Sequence, residues 1–194
     1  MKIEIRANGS VHISGYVNAV ERDSRVLPAE MAGDAKGDFV EQVKAGAWQR
    51  AIEKNPDVLL CFNHGRSIGG LKDGTLKLTE DAIGLHADAE ITDIEVVAEA
   101  RAGHLTGWSF GFSGEKTEWE ERADGVNRRI ITDLELSEVS ILTLEPAYIG
   151  TSVEMRGADV TRRVFRSTAD APITEDKTPV RDFEREIITI ELEV

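Results

Sequence analysis

The sequence is poor in cysteine and proline and has no excess of positive charge, and each shortage excludes something. Its single cysteine, Cys61, can form no internal disulfide and has no second thiol for a cysteine-based metal site. It lies in the apolar run Val58-Leu59-Leu60-Cys61-Phe62 and reads as a small buried hydrophobe rather than a reactive thiol. With 23 basic residues against 36 acidic ones, the formal net charge is −13. No basic stretch offsets that charge, which argues against non-specific binding to nucleic acid or an anionic membrane. A solvated acidic surface or a basic protein partner fits it better. No apolar run is long enough to span a bilayer, and Met1-Lys2-Ile3-Glu4-Ile5-Arg6 alternates instead of forming a signal-peptide core. An intracellular protein in a reducing compartment is expected. The four histidines, His12, His64, His86 and His104, show no metal-ligand spacing, so neither a metal nor another cofactor is expected.

What is present suits a single domain with a tail. The chain has 194 residues, 41% of them apolar, enough to bury a sizeable core. Ile3 and Ile5, then Val11 and Ile13, alternate with polar residues around Asn8-Gly9, a hairpin signal. Gly15 to Val20 extends its second strand, and Glu21 to Gly37 reads as a loop. Phe39, Val40, Val43, Ala47, Trp48 and Ala51 recur at helical spacing, predicting a helix from Phe39 to Asn55 with Asp38 as N-cap and Pro56 as stop. Asp57 to Phe62 reads as a buried strand, and Ser67 to Gly70, Leu71 to Leu78 and Gly84 to Ile91 as three more. A second helix is expected from Thr92-Asp93 to Ala102, with Gly103 as its stop. Leu105 to Ser113, Lys116 to Glu121, Arg128 to Thr132 and Leu134 to Leu144 complete the strands, with Asp124-Gly125 as a turn. The expected class is α+β: a mainly antiparallel, barrel-like sheet with a few surrounding helices. The domain is expected over 1–156 and a linker or tail over 157–194. Asp159 to Pro179 reads as linker, and Arg181 to Val194 as one last strand or a short helix.

Two residues stand in unusual settings. His64 ends an apolar strand between Asn63 and Gly65, where it can face a cleft. Ser109 sits in Thr106-Gly107-Trp108-Ser109-Phe110-Gly111-Phe112; alternation turns the aromatics to the core and Ser109 with Gly111 to the other side, where glycine leaves room for another backbone. A nucleophile needs such access, although the outer face of a barrel strand would also carry a serine. Glu138, in Leu136-Ser137-Glu138-Val139-Ser140, has Leu136 and Ser140 as its same-face neighbours and otherwise reads as a solvent-facing strand residue. His12 and His86 read as surface residues of strands, and His104 as an imidazole near the carbonyls of a helix end.

In order along the chain, these segments resemble the phage prohead protease family, which is taken to share the fold of the herpesvirus assemblins. The resemblance runs from about Gly15 to Tyr148. It rests on Ala45-Gly46-Ala47-Trp48, on Leu60-Cys61-Phe62-Asn63-His64 followed by Ile68-Gly69-Gly70, and above all on Gly103-His104-Leu105-Thr106-Gly107-Trp108-Ser109-Phe110-Gly111-Phe112. Leu136 to Thr143 resembles the family's Glu-Val-Ser strand, and Glu145-Pro146-Ala147-Tyr148 stands where the family commonly has Pro-Ala-Asn. Gly65 replaces a frequent Asp, and Tyr148 the usual Asn. The resemblance implies an assemblin-like fold and a serine endopeptidase with Ser109 as nucleophile, His64 as general base and Glu138 orienting the histidine. Oxyanion donors are expected in the loop after Thr143. The implied substrates are scaffold and capsid-protein segments, cut within an assembling procapsid in the host cytoplasm of a phage or prophage, with self-cleavage in the tail. A homodimer or higher oligomer fits, and no nucleic acid or membrane partner is implied. The alternative is a catalytically inactive capsid-assembly or scaffolding protein that keeps the protease fold.

Overall fold

Polar–apolar alternation at the N-terminus produces a hairpin: β1 (Lys2–Ile5) pairs antiparallel with β2 (Val11–Ala19), Ile3 opposite Ile13 and Ile5 opposite Val11. Gly9, at φ 88°, supplies the left-handed residue of the turn. In this computed structural model, residues 1–144 and 146–148 are described, together with the backbone of 167–168. The expected final strand or helix over 181–194 lies outside them.

The chain from Phe39 to Asn55 is not one helix. Its first part is strand β3 (Phe39–Val43), and helix α1 (Ala47–Lys54) begins only after Gly46, whose φ of 82° breaks the backbone. The N-cap position is therefore Gly46 and not Asp38. The Glu80 carboxylate accepts from the Gly46 and Gln49 N–H groups, both at 2.7 Å, and so satisfies donors that the helix itself leaves open. Strands β4 (Leu59–Phe62), β5 (Ser67–Gly70), β6 (Leu76–Glu80) and β7 (Gly84–Ile91) follow. Helix α2 (Ile94–Ala102) starts at Asp93 and stops at Gly103, as expected. Two long strands replace the four short ones read after it: β8 (Gly107–Glu120) and β9 (Asn127–Leu142) form one antiparallel hairpin turning at Asp124-Gly125. A two-residue strand, β10 (Ser167–Thr168), completes the set.

These strands make two sheets that do not close into a barrel. One is ordered β1-β2-β7-β6; the other runs β10-β8-β9-β4-β5, with β3 also on β9. The α+β class holds, and most pairings are antiparallel. However, β3 and β4 both lie parallel to β9, at opposite ends of the same edge, because α1 carries the chain back between them. Between the sheets lies a continuous apolar core that includes Val11, Ile13, Leu85 and Ala87 of the first and Trp108, Phe110, Phe112, Leu136, Val139 and Ile141 of the second. Where β8 and β9 run through it (107–112 and 138–142), both faces of the strands are buried, so small and polar residues there are shielded from water.

Candidate active site

Strand β4 delivers the chain into a turn, Asn63-His64-Gly65, in which two consecutive non-glycine residues are left-handed: Asn63 at φ 50° and His64 at φ 57°. Each costs about 1–2 kcal/mol relative to ordinary backbone. The surroundings offset that cost. Asn63 N–H donates to the Ile141 carbonyl at 3.0 Å, and Gly65 N–H to that of Phe62 at 3.0 Å. The Asn63 side chain accepts from the Thr143 N–H at 2.9 Å and donates to Thr143 Oγ1 at 3.0 Å. His64 N–H donates to Ser140 Oγ at 3.2 Å.

Strand register brings the remaining residues to the same face. Ser140 on β9 is flanked by Cys61 on β4 and Ser109 on β8; one step along, Glu138 is flanked by Leu59 and Gly111. Directly opposed residues share a face. His64 Nδ1 lies 2.6 Å from Glu138 Oε1, and the other carboxylate oxygen accepts from Ser140 Oγ at 2.9 Å. A carboxylate can only accept, so Nδ1 carries a proton, and in the neutral form of the ring the lone pair is at Nε2. Among the described residues, Nε2 is buried with no hydrogen-bond partner, and no hydrogen bond joins it to Ser109 Oγ. Serine and imidazole thus share a neighbourhood without being hydrogen-bonded. Two surface hollows, one near Glu135 and Ser137 and one near Leu59 and Gly70, are lined by neither of them.

Burial alone would raise the Glu138 carboxyl. The His64 hydrogen bond and charge, with donation from Cys61 and Ser140, outweigh it and hold the group below the ordinary carboxylate range. Burial first, and then Glu138 beside it, pushes the Cys61 thiol up, so Cys61 stays protonated at neutral pH. The arrangement is a histidine whose Nδ1 faces an ionised glutamate and whose Nε2 is left without a partner, in a turn packed on the strand next to the one that carries Ser109. Chemically, it can take a proton from a nucleophile.

The structure brings His64 and Glu138 into contact and places Ser109 on the adjoining strand. Three details differ from the sequence expectation. Leu136 is not on Glu138's face: Gly111 pairs with Glu138 but Phe112 with Leu136, so Ser137 is an extra, bulged residue that turns Glu138 and Ser140 away from the core and Val139 and Ile141 into it. The room above Gly111 is filled by Glu138, since a Cβ there would lie 2.8 Å from its Cγ and Oε1. Nor is Glu138 solvent-facing; it is 9% exposed. Ser140 and the Asn63–Thr143 pair were not singled out from the sequence. The signal available was the polar pair at 138 and 140 in an otherwise apolar stretch.

Cys61 is buried as expected. His12 is mostly covered and pairs with Asp88 at 3.0 Å, while His86 packs edge-on to Tyr16; neither is a free surface residue, because both strands lie inside a sheet. His104 pairs with the Glu99 carboxylate at 2.7 Å rather than with helix carbonyls. No cluster of three potential metal ligands occurs among the described residues. Among them, too, no helix is long and apolar enough to cross a membrane.

The family model described as Caudovirus prohead serine protease matches residues 1–164. No curated protein and no solved structure matches the chain.

Proposed function

The chain belongs to the Caudovirus prohead serine protease family, and from that premise we propose that it is an endopeptidase using Ser109 as nucleophile, His64 as general base and Glu138 as the group that orients and charge-compensates the base. The observation that carries this reading is the 2.6 Å contact between His64 Nδ1 and the ionised Glu138, which leaves a buried, unpartnered lone pair at Nε2. As Ser109 Oγ attacks a peptide carbonyl, Nε2 takes its proton. The imidazolium so formed faces Glu138, and returns the proton to the leaving amine as the acyl-serine forms. Water, activated by the same nitrogen, then releases the acid and frees Ser109.

Catalytic contacts in a substrate-free site are often long and tighten on binding, so the absence of a Ser109–His64 hydrogen bond fits a resting state. The same absence is the observation favouring the rival reading, an inactive assembly protein with the same fold. The oxyanion donor is not the Thr143 N–H, which is already given to Asn63. A preset donor there is worth about 3–4 kcal/mol.

The substrates of this reading are scaffold and capsid-protein segments, cut inside an assembling procapsid in the host cytoplasm. Self-cleavage in the tail is part of it. Supporting that step, Ser167 and Thr168 pair in parallel with Gly111 and Phe112, two residues along β8 from Ser109. The test is to incubate the full chain and Ser109→Ala separately with the capsid subunit of the same genome and follow all fragments by mass spectrometry. The expected result is cut subunit and a shortened tail for the first, with both intact for the second. Equal fragments from both would remove Ser109 from the mechanism. No fragments from either, with procapsids also present, would favour the assembly protein.

A further inference from the structure

Ser140 is the one fully buried hydroxyl residue on this face, near the end of β9, where its neighbours Val139, Ile141 and Leu142 are all apolar. A buried hydroxyl is less favourable there than a hydrophobe of similar size unless its hydrogen bonds are made. Both are made, and in one direction only. Ser140 Oγ accepts the His64 N–H at 3.2 Å and gives its single proton to Glu138 Oε2 at 2.9 Å. Neither partner can reverse these roles, because the amide only donates and the carboxylate only accepts. With the 2.6 Å contact from His64 Nδ1 to Glu138 Oε1, the bonds close a ring: His64 backbone, Ser140, Glu138, His64 imidazole. One oxygen atom thus ties the strained, left-handed backbone of His64 to the same carboxylate that its ring addresses.

We propose that Ser140 is a positioning residue of the proteolytic site, locking Glu138 and the His64 main chain together so that Nδ1 stays the donor and Nε2 the base. This rests on the reading of the site given above. Ser140 stands beside Ser109 in the strand register and has no hydrogen bond to it, so its effect passes through His64 and Glu138. Removing the hydroxyl leaves the His64 N–H without its acceptor and Glu138 Oε2 without one donor. The titratable groups facing Glu138 are then His64 from the turn after β4 and Cys61 from β4; β8 contributes only Ser109 and Gly111 at these positions. With one donor fewer, the carboxylate takes up a proton at higher pH.

The experiment compares the full chain with Ser140→Ala, Ser140→Cys and Ser109→Ala, using a peptide spanning a capsid-subunit cleavage site identified in the digest. For Ser140→Ala, kcat is expected to fall about 10–100-fold, the range for groups that orient a reacting ligand, with KM little changed. The acid limb of its pH profile should move up, and the downfield proton resonance of His64 Nδ1–H should weaken or vanish. Ser140→Cys, which keeps a weaker donor at the same atom, should lie between Ser140→Ala and the parent. If Ser140→Ala does not fold, the Cys variant decides alone, by a several-fold lower kcat at constant KM. Folded variants with the parent's kcat, acid limb and Nδ1 resonance would overturn the proposal. In that case, an inactive Ser109→Ala would leave the reading of the site standing, whereas an active Ser109→Ala would overturn that reading itself.

Discussion

At the level of single residues, the tightest constraint on the site is the absence of a side chain at Gly111. A methyl there would stand 2.8 Å from Glu138 Cγ, close to the rigid part of that side chain, so the carboxylate would have to move. Any such movement lengthens the contact to His64 Nδ1. Gly111→Ala is therefore expected to lower turnover about a hundredfold, the cost of roughly ångström-scale misplacement, and to destabilise the fold by about 1–3 kcal/mol through overpacking. Kinetics on the capsid-subunit peptide, together with urea denaturation, check both. Unchanged kinetics would mean that the carboxylate shifts without loss of its role. Ser109, His64 and Glu138 were singled out through the family resemblance, because each stands in a short ordered motif, and the structure brings two of them, His64 and Glu138, into contact. Ser140 was not singled out. A serine in an alternating strand looks the same whether its hydroxyl meets water or a buried carboxylate, and the difference here comes from residues 2 and 76 positions away.

At the level of elements, helix α2 was legible because its two ends are chemically marked. Asp93 accepts from the Glu95 and Val96 N–H groups at 3.1 Å, and Gly103, at φ 74°, ends the helix in a left-handed turn. Arg66, beside the His64 turn, holds the same carboxylate at 2.6 and 2.7 Å. Those bonds hold the Asp93 carboxyl down at about 2, against an ordinary 3.8. A depressed carboxyl stabilises the fold fully above its unfolded pKa, and the gain fades as pH falls through the folded one. Asp93→Ala should thus cost about 1 kcal/mol at neutral pH, as for other lost N-caps, and the gap to the parent should narrow between pH 4 and pH 2. Thermal unfolding of both proteins across that window checks it; a gap that does not change with pH would leave only the neutral part of the cap. The region Phe39 to Asn55 was misread because apolar residues three and four apart also suit a buried strand followed by a helix, and pairing with β9 decided between them. The bulge at Ser137 has no compositional mark at all, yet it decides which face Glu138 takes.

On the scale of the whole molecule, strand count indicated the α+β class but could not tell a closed barrel from two packed sheets, since closure depends on pairings across the chain. One such long-range link is the buried cluster around Glu41, which is fully enclosed. Its carboxylate accepts from Arg129 at 2.9 Å and from the Tyr148 hydroxyl at 2.8 Å, while Arg129 also reaches Glu115 at 2.8 Å. It joins β3, β9 and the start of the 8–9 hairpin's outer half to the segment after β9. Arg25 reinforces that segment through the Ala147 and Pro146 carbonyls, and Asn63 ties its beginning, Thr143, to the histidine turn. The cluster was invisible in the sequence because Glu41 and Arg129 are 88 positions apart and each sits where a strand or helix surface would carry a charge. Removing one partner of a buried pair costs far more than the pair contributes, because the other charge stays desolvated. Arg129→Met is expected to destabilise the protein by about 3–5 kcal/mol, read as a lower urea midpoint at unchanged slope. Adding Glu41→Leu should recover part of that loss, since the carboxylate that faced Arg129 is then gone, although the Tyr148 hydroxyl loses an acceptor. If the double variant is no more stable than Arg129→Met, the cost lies in lost packing between β3 and β9 and not in an uncompensated carboxylate.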